Sequence, residues 1–448
     1  MTRGLIIAAP ASGSGKTLVT LALLRHLRRA GLAVGSAKVG PDYIDGAFHR
    51  AAGGRPCFNL DTWAMRPETL RAIVGRAGEG AELVVAEGVM GLFDGAPTEG
   101  DGPDGSTADL AASTGWPVVL IVDAKGMGAS AAALVQGYAG FREDVRVAGV
   151  LFNRTGGPGH GEILRQACAP LGIPVLGIPF LGVLPRRAEL VLPDRHLGLV
   201  QAGEHGDLED LLNRAADWIG DGVDVDGLLA LAQRADFPSG REAEALAALP
   251  PLGQRIAVAR DTAFAFAYPH VLEGWRAAGA EVLPFSPLAD EAPDAGADAV
   301  FLPGGYPELH AGRLAAAGRF KDGLTRLVAD GALVYGECGG YMVLGSGLVD
   351  AEGERHVMAG LLPLETSFQS PRMTLGYRTA RLSADGPLGR SGAAFRGHEF
   401  HFAHLVGTDG GGPALFDCRD ARGRDLGAAG GRRANVMGSF IHLVDRAG

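Results

Sequence analysis

Residues 9–17 read A-P-A-S-G-S-G-K-T, and this stretch decides the fold of the first part of the chain. It lies between an apolar run at residues 5–8 and a second at residues 18–24. A strand, a glycine-rich turn ending in Gly-Lys-Thr and an apolar helix are typical of a phosphate-binding P-loop, because backbone N–H groups and the helix dipole both favour an anion. Lys16 would reach the β- and γ-phosphates, and Thr17 would ligate Mg²⁺. The predicted ATP-binding residues are Ser12, Gly13, Ser14, Gly15, Lys16 and Thr17.

Two positions distinguish this loop from related ones. Pro10 stands where the usual first glycine would be. Ala11 stands where ATPases of the partitioning type carry a second lysine. The lack of that lysine favours a small-molecule synthetase over an ATPase that switches by dimerisation.

The composition excludes several classes of protein. The chain has 448 residues and a net charge of −10, so it lacks the broad positive surface that nucleic acids require. Its four cysteines are scattered without a CxxC pair, which predicts neither a disulfide framework nor a zinc ribbon and suits a reducing compartment. No apolar stretch approaches the about 20 residues of a membrane span, and the run after Arg3 is too short for a secretion signal. We therefore expect a cytoplasmic protein without nucleic-acid or membrane partners.

Short apolar runs alternate with helix-like segments in two blocks, which predicts an α/β fold with a mostly parallel sheet. The predicted strands of the first block are residues 5–9, 34–39, 83–87, 118–122, 147–152 and 175–178. Those of the second are residues 255–259, 281–284, 299–302 and 332–335, followed by β-rich sequence near 357–445. Residues 201–250 are polar, helical and finally alanine-rich. We predict a P-loop domain over residues 1–235, a linker over 236–252 and a second α/β domain over 253–448.

Acidic residues follow two of the predicted strands. K-V-G-P-D-Y-I-D at 38–45 contains Asp42 and Asp45, and E-G-V-M-G-L-F-D-G at 87–95 contains Glu87 and Asp94. Ligands of α/β folds bind at the carboxyl ends of parallel strands. Acids there are often helix caps, but beside a P-loop they more often hold Mg²⁺. The predicted metal ligands are Thr17, Asp42 and Glu87.

A second motif surrounds Cys338. V-Y-G-E-C-G-G-Y-M-V-L at 334–344 predicts a strand, a tight turn and a helix, with the thiol at the apex as in a nucleophile elbow. We expect the helix N-terminus to lower the pKa of this thiol. Upstream, L-P-G-G-Y-P-E at 302–308 offers glycine N–H groups for an oxyanion. His442, near the C-terminus, is the predicted base.

A rival group of histidines lies at 398–404, in H-E-F-H-F-A-H. Its spacing is one residue short of the helical zinc motif. On a strand, His398 and His404 would share one face and His401 would take the other, so no face collects three close ligands. A structural role or a place in a substrate pocket is therefore favoured over zinc.

Together the motifs at 9–17, 38–45, 59–61 (N-L-D), 87–95, 302–308 and 336–342 resemble the cobyrinic/hydrogenobyrinic acid a,c-diamide synthase family in order and spacing over nearly the whole chain. The resemblance implies a P-loop N-terminal domain like dethiobiotin synthetase, with a parallel sheet. It also implies a C-terminal class I glutamine amidotransferase domain with a flavodoxin-like fold.

The resemblance also implies a mechanism. Cys338 attacks the amide of glutamine, His442 is its base, and N–H groups near Gly305 and Gly339 hold the oxyanion. ATP with Mg²⁺ phosphorylates a carboxylate of the corrinoid substrate, and ammonia then displaces phosphate. The family's functional acids fall on Asp42, Asp45, Glu87 and Asp94. Substrate or synthetase roles are assigned to Asp45, Asp94 and Tyr43.

One departure concerns the third member of the usual triad. Glutaminases of this class carry Glu two residues after the histidine, where this chain has Val444, followed by Asp445. A Cys–His dyad is therefore expected, and Asp445 as a substitute is left open.

Alternative functions remain at this point. A nickel-sirohydrochlorin a,c-diamide synthase has the same chemistry on another tetrapyrrole. A cobyric acid synthase fits less well, because its loops differ. A nucleotide-switch scaffold without activity is disfavoured, because Lys16, Cys338 and His442 are all present. The presence of cobalt in the ring and the formation of a homodimer are also left open.

Overall fold

The computed structural model of the chain describes residues 2–98, 100, 102–169, 180–195, 198–236, 248–406 and 412–447. These residues form two compact units. The N-terminal unit takes the described residues of 1–63, 70–96 and 103–242. The C-terminal unit takes those of 64–69, 97–102 and 243–448.

The N-terminal unit is built on an eight-stranded sheet. Its seven parallel strands are β1 (Arg3–Ala8), β2 (Val34–Val39), β3 (Cys57–Leu60), β4 (Leu83–Glu87), β5 (Val118–Asp123), β6 (Val147–Thr155) and β7 (Phe180–Pro185), and its eighth strand is antiparallel. A separate ribbon consists of β8 (Asp194–Arg195) and β9 (Gly198–Leu199), and the short β10 (Gln233–Arg234) pairs antiparallel with β1. The parallel strands lie in the order β3-β2-β4-β1-β5-β6-β7.

Helices connect these strands in the alternation expected of a parallel sheet. Those described are Lys16–Arg29, Asp45–Gly53, Pro67–Ala77, Thr107–Thr114, Ser130–Gly140, Pro158–Cys168, Leu208–Gly222 and Val225–Leu231, with a 3₁₀ turn at Ala202–Glu204. The central strands are buried along their whole apolar length, as in β1 and β5, because helices cover both faces of such a sheet.

Five of the six strands predicted in this part are confirmed. The sixth, at residues 175–178, lies outside the described residues. The two-residue strands β8, β9 and β10 were missed, and so were two longer strands, β3 and β7. Strand β3 is only four residues long, and β7 contains Gly182 with φ of 153° and ends at Pro185, so neither has a continuous apolar signal.

The C-terminal unit combines one mainly parallel sheet with two others. Its strands are β11 (Arg255–Ala259), β12 (Glu281–Phe285), β13 (Ala299–Leu302), β14 (Leu333–Glu337), β15 (Gly347–Val349), β16 (Arg355–Val357), β17 (Glu365–Ser367), β18 (Thr374–Leu382), β19 (Ala394–His401), β20 (His404–Leu405), β21 (Phe416–Asp420), β22 (Asp425–Ala429), β23 (Gly431–Arg433), β24 (Val436–Ser439) and β25 (Ile441–Arg446). The first sheet has the order β12-β11-β13-β14-β24-β23, with only β23 antiparallel.

This order confirms the predicted flavodoxin-like architecture, because its five parallel strands follow the 2-1-3-4-5 arrangement. The β-rich sequence predicted after residue 357 is also confirmed. It forms an antiparallel sheet of order β22-β21-β18-β19-β25 and contributes to a smaller sheet of order β16-β15-β17-β20.

Helices and a buried cluster complete the C-terminal unit. The helices are Pro269–Ala277, Ala311–Ala316, Gly318–Ala329 and Gly339–Leu344, with 3₁₀ turns at Pro287–Ala289 and Pro307–His310. The core joins β11, β13 and β14 to the last three helices through side chains such as Val300, Phe320 and Leu344, each fully buried. Over the described part of the chain, no helix is long and apolar enough to cross a membrane.

The helix Gly339–Leu344 packs so closely on β13 that Gly340 cannot carry a side chain. A Cβ at this position would overlap the backbone carbonyl of Leu302. We expect Gly340→Ala to lower the free energy of unfolding of the C-terminal unit by about 1–3 kcal/mol, because the helix must shift. Chemical denaturation followed by circular dichroism would measure this loss.

Gly318→Ala is the matched control. Gly318 is the first residue of its helix, and a Cβ there would meet nothing within 4 Å. This variant should be as stable as the parent or slightly more stable. Equal stability of Gly340→Ala and the parent would contradict the close packing of the helix on β13.

Candidate active sites

The P-loop backbone is shaped for an anion at the start of the helix Lys16–Arg29. Gly13 and Gly15 have φ of 75° and 90°, in the left-handed region that favours glycine. The side chain of Asn153, from the end of β6, donates to Ser14 O at 2.9 Å. A Cβ on Gly15 would overlap this amide, so the loop and β6 are in direct contact.

Lys16 and Thr17 are tied to the carboxyl end of the sheet. Lys16 Nζ donates to Met90 O at 2.5 Å and to Ala11 O at 3.3 Å. Burial and the neighbouring Lys38 lower the pKa of Lys16 to about 8. Thr17 Oγ1 donates to Glu87 Oε1 at 2.5 Å.

A cavity of about 740 Å³ opens over this loop within the N-terminal unit. Its wall carries both carboxylates and cations, which suits a polyphosphate with a divalent metal. The carboxylates are Asp42 and Glu87, and the cations are Lys16, Lys38, Lys125, Arg154, Arg186 and Arg187.

A buried cluster of charges surrounds Glu87. Its Oε1 accepts from Lys38 Nζ at 2.8 Å, and its Oε2 accepts from His49 Nε2 at 2.7 Å. Lys38 also pairs with Asp45 at 2.6 Å. Two cations therefore face two carboxylates inside the unit, which offsets the cost of burying each of them.

The pKa values in this cluster follow from that pairing. Although burial alone would raise it, Lys38 and His49 hold the pKa of Glu87 well below its usual range. Burial and the neighbouring Asp42 raise the pKa of Asp45 to about 6. Burial opposes the charge of His49, but Cys57 and Glu87 raise its pKa to about 10. His49 is therefore a cation at neutral pH.

Sequence reasoning missed Lys38, His49 and Asn153 as parts of this site. Lys38 offered a signal, because it is a charged residue inside an otherwise apolar strand and is only 4% exposed. His49 offered none, because a histidine inside an amphipathic helix is ordinary. Asn153, at the end of a buried strand, could have been found by the same argument that selected the acids.

The other predicted residues of this site have separate environments. Asp42 Oδ1 accepts from the N–H groups of Ile44 and Asp45 at 2.8 and 3.0 Å, so it also caps the following helix. Asp94 Oδ2 accepts from Gly91 N–H at 2.8 Å, and its charge acts on Lys16. Tyr43 is half-buried between β2 and the next helix.

Cys338 lies at the apex of the predicted turn in the C-terminal unit. Strand β14 ends at Glu337, the helix begins at Gly339, and Cys338 between them has φ of 48°. The predicted strand, tight turn and helix are confirmed, with Cys338 at the apex on a strained backbone. The expectation of a lowered thiol pKa is wrong, because Cys338 is 1% exposed. Burial and the charge of Glu308 raise the pKa of the thiol, and these effects outweigh the hydrogen bond from Gly339 N–H.

His442 lies beside Cys338. A Cβ placed on Gly304 would overlap His442 Cε1 and would also lie 3.2 Å from Cys338 Cβ, so the imidazole and the cysteine flank the same glycine. Burial, with the charges of His398 and His401, lowers the pKa of His442 to about 3. His442 is therefore neutral near pH 7 and able to accept a proton.

The rival histidines have other neighbours. His398 lies opposite His442 in the β19–β25 register and packs edge-on against Tyr377. His401 contacts Glu399 Oε1 at 2.9 Å and Ala403 O at 2.8 Å. The prediction that His398 and His404 share a face of one strand is wrong. The chain leaves β19 after His401, and His404 belongs to β20 in another sheet.

The two predicted oxyanion glycines are close together. A Cβ on Gly339 would lie 3.1 Å from Gly305 N, and one on Gly305 would overlap Ala263 O. Both positions therefore exclude a side chain.

Asp445 and Glu337 are acidic candidates for a third member, and the charge of Glu399 also acts on His442. Asp445 binds Arg66 through both carboxylate oxygens, with contacts of 2.9 Å to Nη2 and 3.1 Å to Nε. Glu337 Oε2 lies 3.8 Å from His442 Nδ1. Sequence reasoning missed Glu337, although it immediately precedes the cysteine.

Comparisons with known proteins agree with this division of the chain. The CobQ/CobB/MinD/ParA nucleotide binding domain matches residues 5–200, and the CobB/CobQ-like glutamine amidotransferase domain matches residues 255–447. The hydrogenobyrinate a,c-diamide synthase of Rhizobium meliloti (strain 1021) is 54% identical over 446 residues, which cover 99% of each chain. The enzyme of the same name from Brucella abortus biovar 1 (strain 9-941) is 55% identical over 452 residues, which cover 100% of this chain and 99% of that one.

The chain belongs to the hydrogenobyrinate a,c-diamide synthase family. The predicted resemblance is thereby confirmed. A solved structure of PurLQS from Thermotoga maritima is 18% identical to this chain, and the match covers 42% of this chain and 86% of that one with a TM-score of 0.32. In this chain, the match to the nucleotide-binding domain includes the P-loop, and the match to the amidotransferase domain includes Cys338 and His442. The roles of single side chains stay predictions.

The position of Gly304 between His442 and Cys338 allows a direct test. We expect Gly304→Ala to reduce glutamine hydrolysis by about 100-fold, because the added methyl group displaces the imidazole from the thiol. Steady-state assays of glutamate release would measure the loss, and thermal melting would check the fold.

Gly312→Ala is the matched control, because its Cβ would meet the His356 ring only at 3.8 Å, an ordinary contact. Its glutamine hydrolysis should equal that of the parent. A fully active Gly304→Ala would remove His442 from the site.

Proposed function

We propose that this protein amidates the a and c side-chain carboxylates of hydrogenobyrinate, with ATP as the activating substrate and glutamine as the nitrogen donor. The observation that carries this proposal is the pair of sites on one chain whose relatives, 54% identical over 99% of their length, have that name. One unit holds a P-loop cavity with buried acids, and the other holds a buried cysteine on a strained turn beside a histidine.

In the N-terminal unit, the P-loop binds ATP through Ser12, Gly13, Ser14, Gly15, Lys16 and Thr17. Thr17, Asp42 and Glu87 present the hydroxyl and carboxylate oxygens that Mg²⁺ prefers, and Asp42 and Glu87 line the cavity. When bound, the metal would neutralise charge on the β- and γ-phosphates. Lys38 and His49 hold Glu87 in place and ionised.

Phosphorylation solves a chemical problem, because a carboxylate does not react with amines at neutral pH. A carboxylate oxygen of the substrate attacks the γ-phosphorus, and ADP leaves. Ammonia then attacks the acyl carbon, phosphate departs with the C–O bond electrons, and the nitrogen loses a proton. Asp45, Asp94 and Tyr43 are the residues we assign to the substrate or to this synthetase site.

In the C-terminal unit, Cys338 Sγ attacks the amide carbon of glutamine. His442 takes the thiol proton and gives it to the departing ammonia, and water then hydrolyses the thioester. Because burial keeps the thiol protonated, a base beside it is required. The N–H groups of Gly305 and Gly339 hold the oxyanion, and such a donor is typically worth about 10²–10³ in rate.

We place this activity in the cytoplasm, a proposal supported by the four cysteines, which are all described and form no disulfide. A homodimer stays a prediction.

The nickel-sirohydrochlorin alternative and the cobalt-containing substrate are tested in one experiment. Hydrogenobyrinic acid, cobyrinic acid and nickel-sirohydrochlorin are each supplied with ATP, Mg²⁺ and glutamine, and products are identified by mass. The proposal expects the a,c-diamide of hydrogenobyrinate as the main product, and amidation of nickel-sirohydrochlorin alone would overturn it.

Removal of either glutaminase residue should separate the two nitrogen donors. Cys338→Ser and His442→Ala should reduce glutamine-dependent synthesis by about 100-fold or more, because each removes the nucleophile of the glutaminase or its base. Both variants should keep ammonia-dependent synthesis, which needs neither group. Phosphate release with each donor would measure the effect.

His398→Ala is the matched control, because His398 is also buried and lies opposite His442 in the register. This variant should lose less glutamine-dependent synthesis than His442→Ala. Equal losses with glutamine and ammonia in Cys338→Ser would refute a separate glutaminase site.

Replacement of the P-loop lysine should impair synthesis with both nitrogen donors. We expect Lys16→Ala to lose synthesis with either donor, because both need the same acyl phosphate, while glutamine hydrolysis itself is retained. Lys125→Ala is the control, because Lys125 lines the same cavity from an exposed position. Ammonia-dependent synthesis by Lys16→Ala at the parental rate would exclude the P-loop from the reaction.

A further inference from the structure

Glu337 is a buried carboxylate whose position the proposed mechanism does not yet use. It ends β14, directly before Cys338, and is 3% exposed. Its Oε1 accepts from Leu443 N–H at 3.1 Å and from the Tyr335 hydroxyl at 3.2 Å. Its Oε2 points to His442, with 3.8 Å to Nδ1.

Glu337 also lines a small cavity with apolar and aromatic side chains, among them Tyr268, Trp275 and Phe301. Across the described residues, His442 is the one basic group within 4 Å of this carboxylate. Burial raises the pKa of Glu337 to about 8. Keeping an acid at such a position costs stability, and strongly perturbed groups of this kind cluster at functional sites.

The two edges of the His442 ring face different groups. Gly304, which also flanks Cys338, lies nearest to Cε1 and Nε2. Glu337 lies on the side of Nδ1. Nε2 therefore lies on the side of the glycine that also flanks the cysteine, and Nδ1 is the ring nitrogen nearest the carboxylate, while a backbone hydrogen bond with Phe266 also holds the ring. A base with an acid behind it needs this arrangement.

Two other nearby acids are already paired. Glu399, whose charge acts on His442, accepts from Arg378 and contacts His401. Asp445 is fully buried and gives both of its oxygens to Arg66. The position two residues after His442 is Val444, which has no side-chain acceptor, and its carbonyl accepts from His270. Glu337 supplies a carboxylate at His442 from the other side of the site.

Given the proposed glutaminase, we propose that Glu337 is the positioning residue of its base: the carboxylate accepts the Nδ1–H of His442 and so directs the unprotonated Nε2 to Cys338. When Cys338 attacks glutamine, the thiol proton passes to Nε2, and the imidazolium forms beside Glu337, whose ionised form the positive charge favours. The same proton then leaves with ammonia, and Nδ1–H stays on Glu337 throughout. The 3.8 Å separation shortens as substrate binds, as catalytic hydrogen bonds often do.

Glu337→Gln tests this role, because it keeps the shape and an acceptor but cannot ionise when His442 becomes a cation. We expect kcat for glutamine hydrolysis to fall by about 100-fold, the typical worth of a working base, with KM for glutamine changed less than about threefold. Ammonia-dependent synthesis should match the parent. Glu337→Leu should lose more, because it removes the acceptor as well.

Asp445→Asn is the matched control, because it also neutralises a buried carboxylate of the same unit. Its kcat for glutamine should stay within about threefold of the parent, although its melting temperature should fall because Arg66 loses its charged partner. The imidazole ¹⁵N shifts of His442 give a readout that a merely structural role would not move. The parent should show the Nδ1–H tautomer, and Glu337→Leu should lose this preference.

A parental kcat in Glu337→Gln, or an unchanged tautomer in Glu337→Leu, would overturn the assignment. If Glu337→Leu does not fold, Glu337→Gln and its tautomer decide alone, because this side chain is nearly the same size. Failure of the proposed function looks different. If the proposed function is wrong, the parent protein will not hydrolyse glutamine. If only the role of Glu337 is wrong, the parent will hydrolyse glutamine and the Glu337 variants will match it.

Discussion

The parallel pairing of strands is the constraint on which both candidate sites depend. It brings the carboxyl ends of β1, β2 and β4 to one edge, so that Lys16, Asp42 and Glu87 meet although they are far apart in sequence. The same pairing brings the ends of β13, β14 and β24 together in the C-terminal unit. There the turn at Cys338 and the glycines after β13 become neighbours. In both units a helix follows the strand, after the loop at residues 9–15 in the N-terminal unit and after Cys338 in the C-terminal unit, so its first N–H groups face the place where a ligand would bind.

Buried charge is handled differently in the two sites. Around Glu87, two cations and a second carboxylate form a set of ion pairs, and the carboxylate stays ionised at any physiological pH. Among the described residues, Glu337 has the Tyr335 hydroxyl, the Leu443 N–H and the neutral His442 as polar neighbours, and its pKa is raised. A permanently charged acid suits a site that handles Mg²⁺ and phosphates. An acid whose charge is stabilised only when His442 becomes a cation suits a site where a proton moves in each turnover.

The sequence allowed much of this arrangement to be predicted, because its signals are local. A P-loop and a nucleophile elbow are short motifs whose glycines are needed by the backbone at that place, as at Gly15 and Gly340. Long apolar strands were found, whereas β3 and β7 were not, since one is short and the other is interrupted. The neighbours of Glu87, the end of β19 before His404 and the contact of Glu337 with His442 depend on tertiary packing. No spacing in the chain encodes them.

The direction of the Cys338 pKa shows why local rules are incomplete. A helix N-terminus favours a thiolate, and Gly339 N–H does bond to the sulfur, but the side chain is almost fully buried and desolvation prevails. His442 is likewise neutral, because a cation at that depth is disfavoured. The resting pair is therefore an uncharged thiol and an uncharged imidazole, and charge separation must be stabilised as the substrate reacts. Glu337 beside His442 and the N–H groups beside Cys338 lie where those charges would appear. The burial that makes the thiol a poor nucleophile at rest thus also ties its reactivity to the partner that takes its proton.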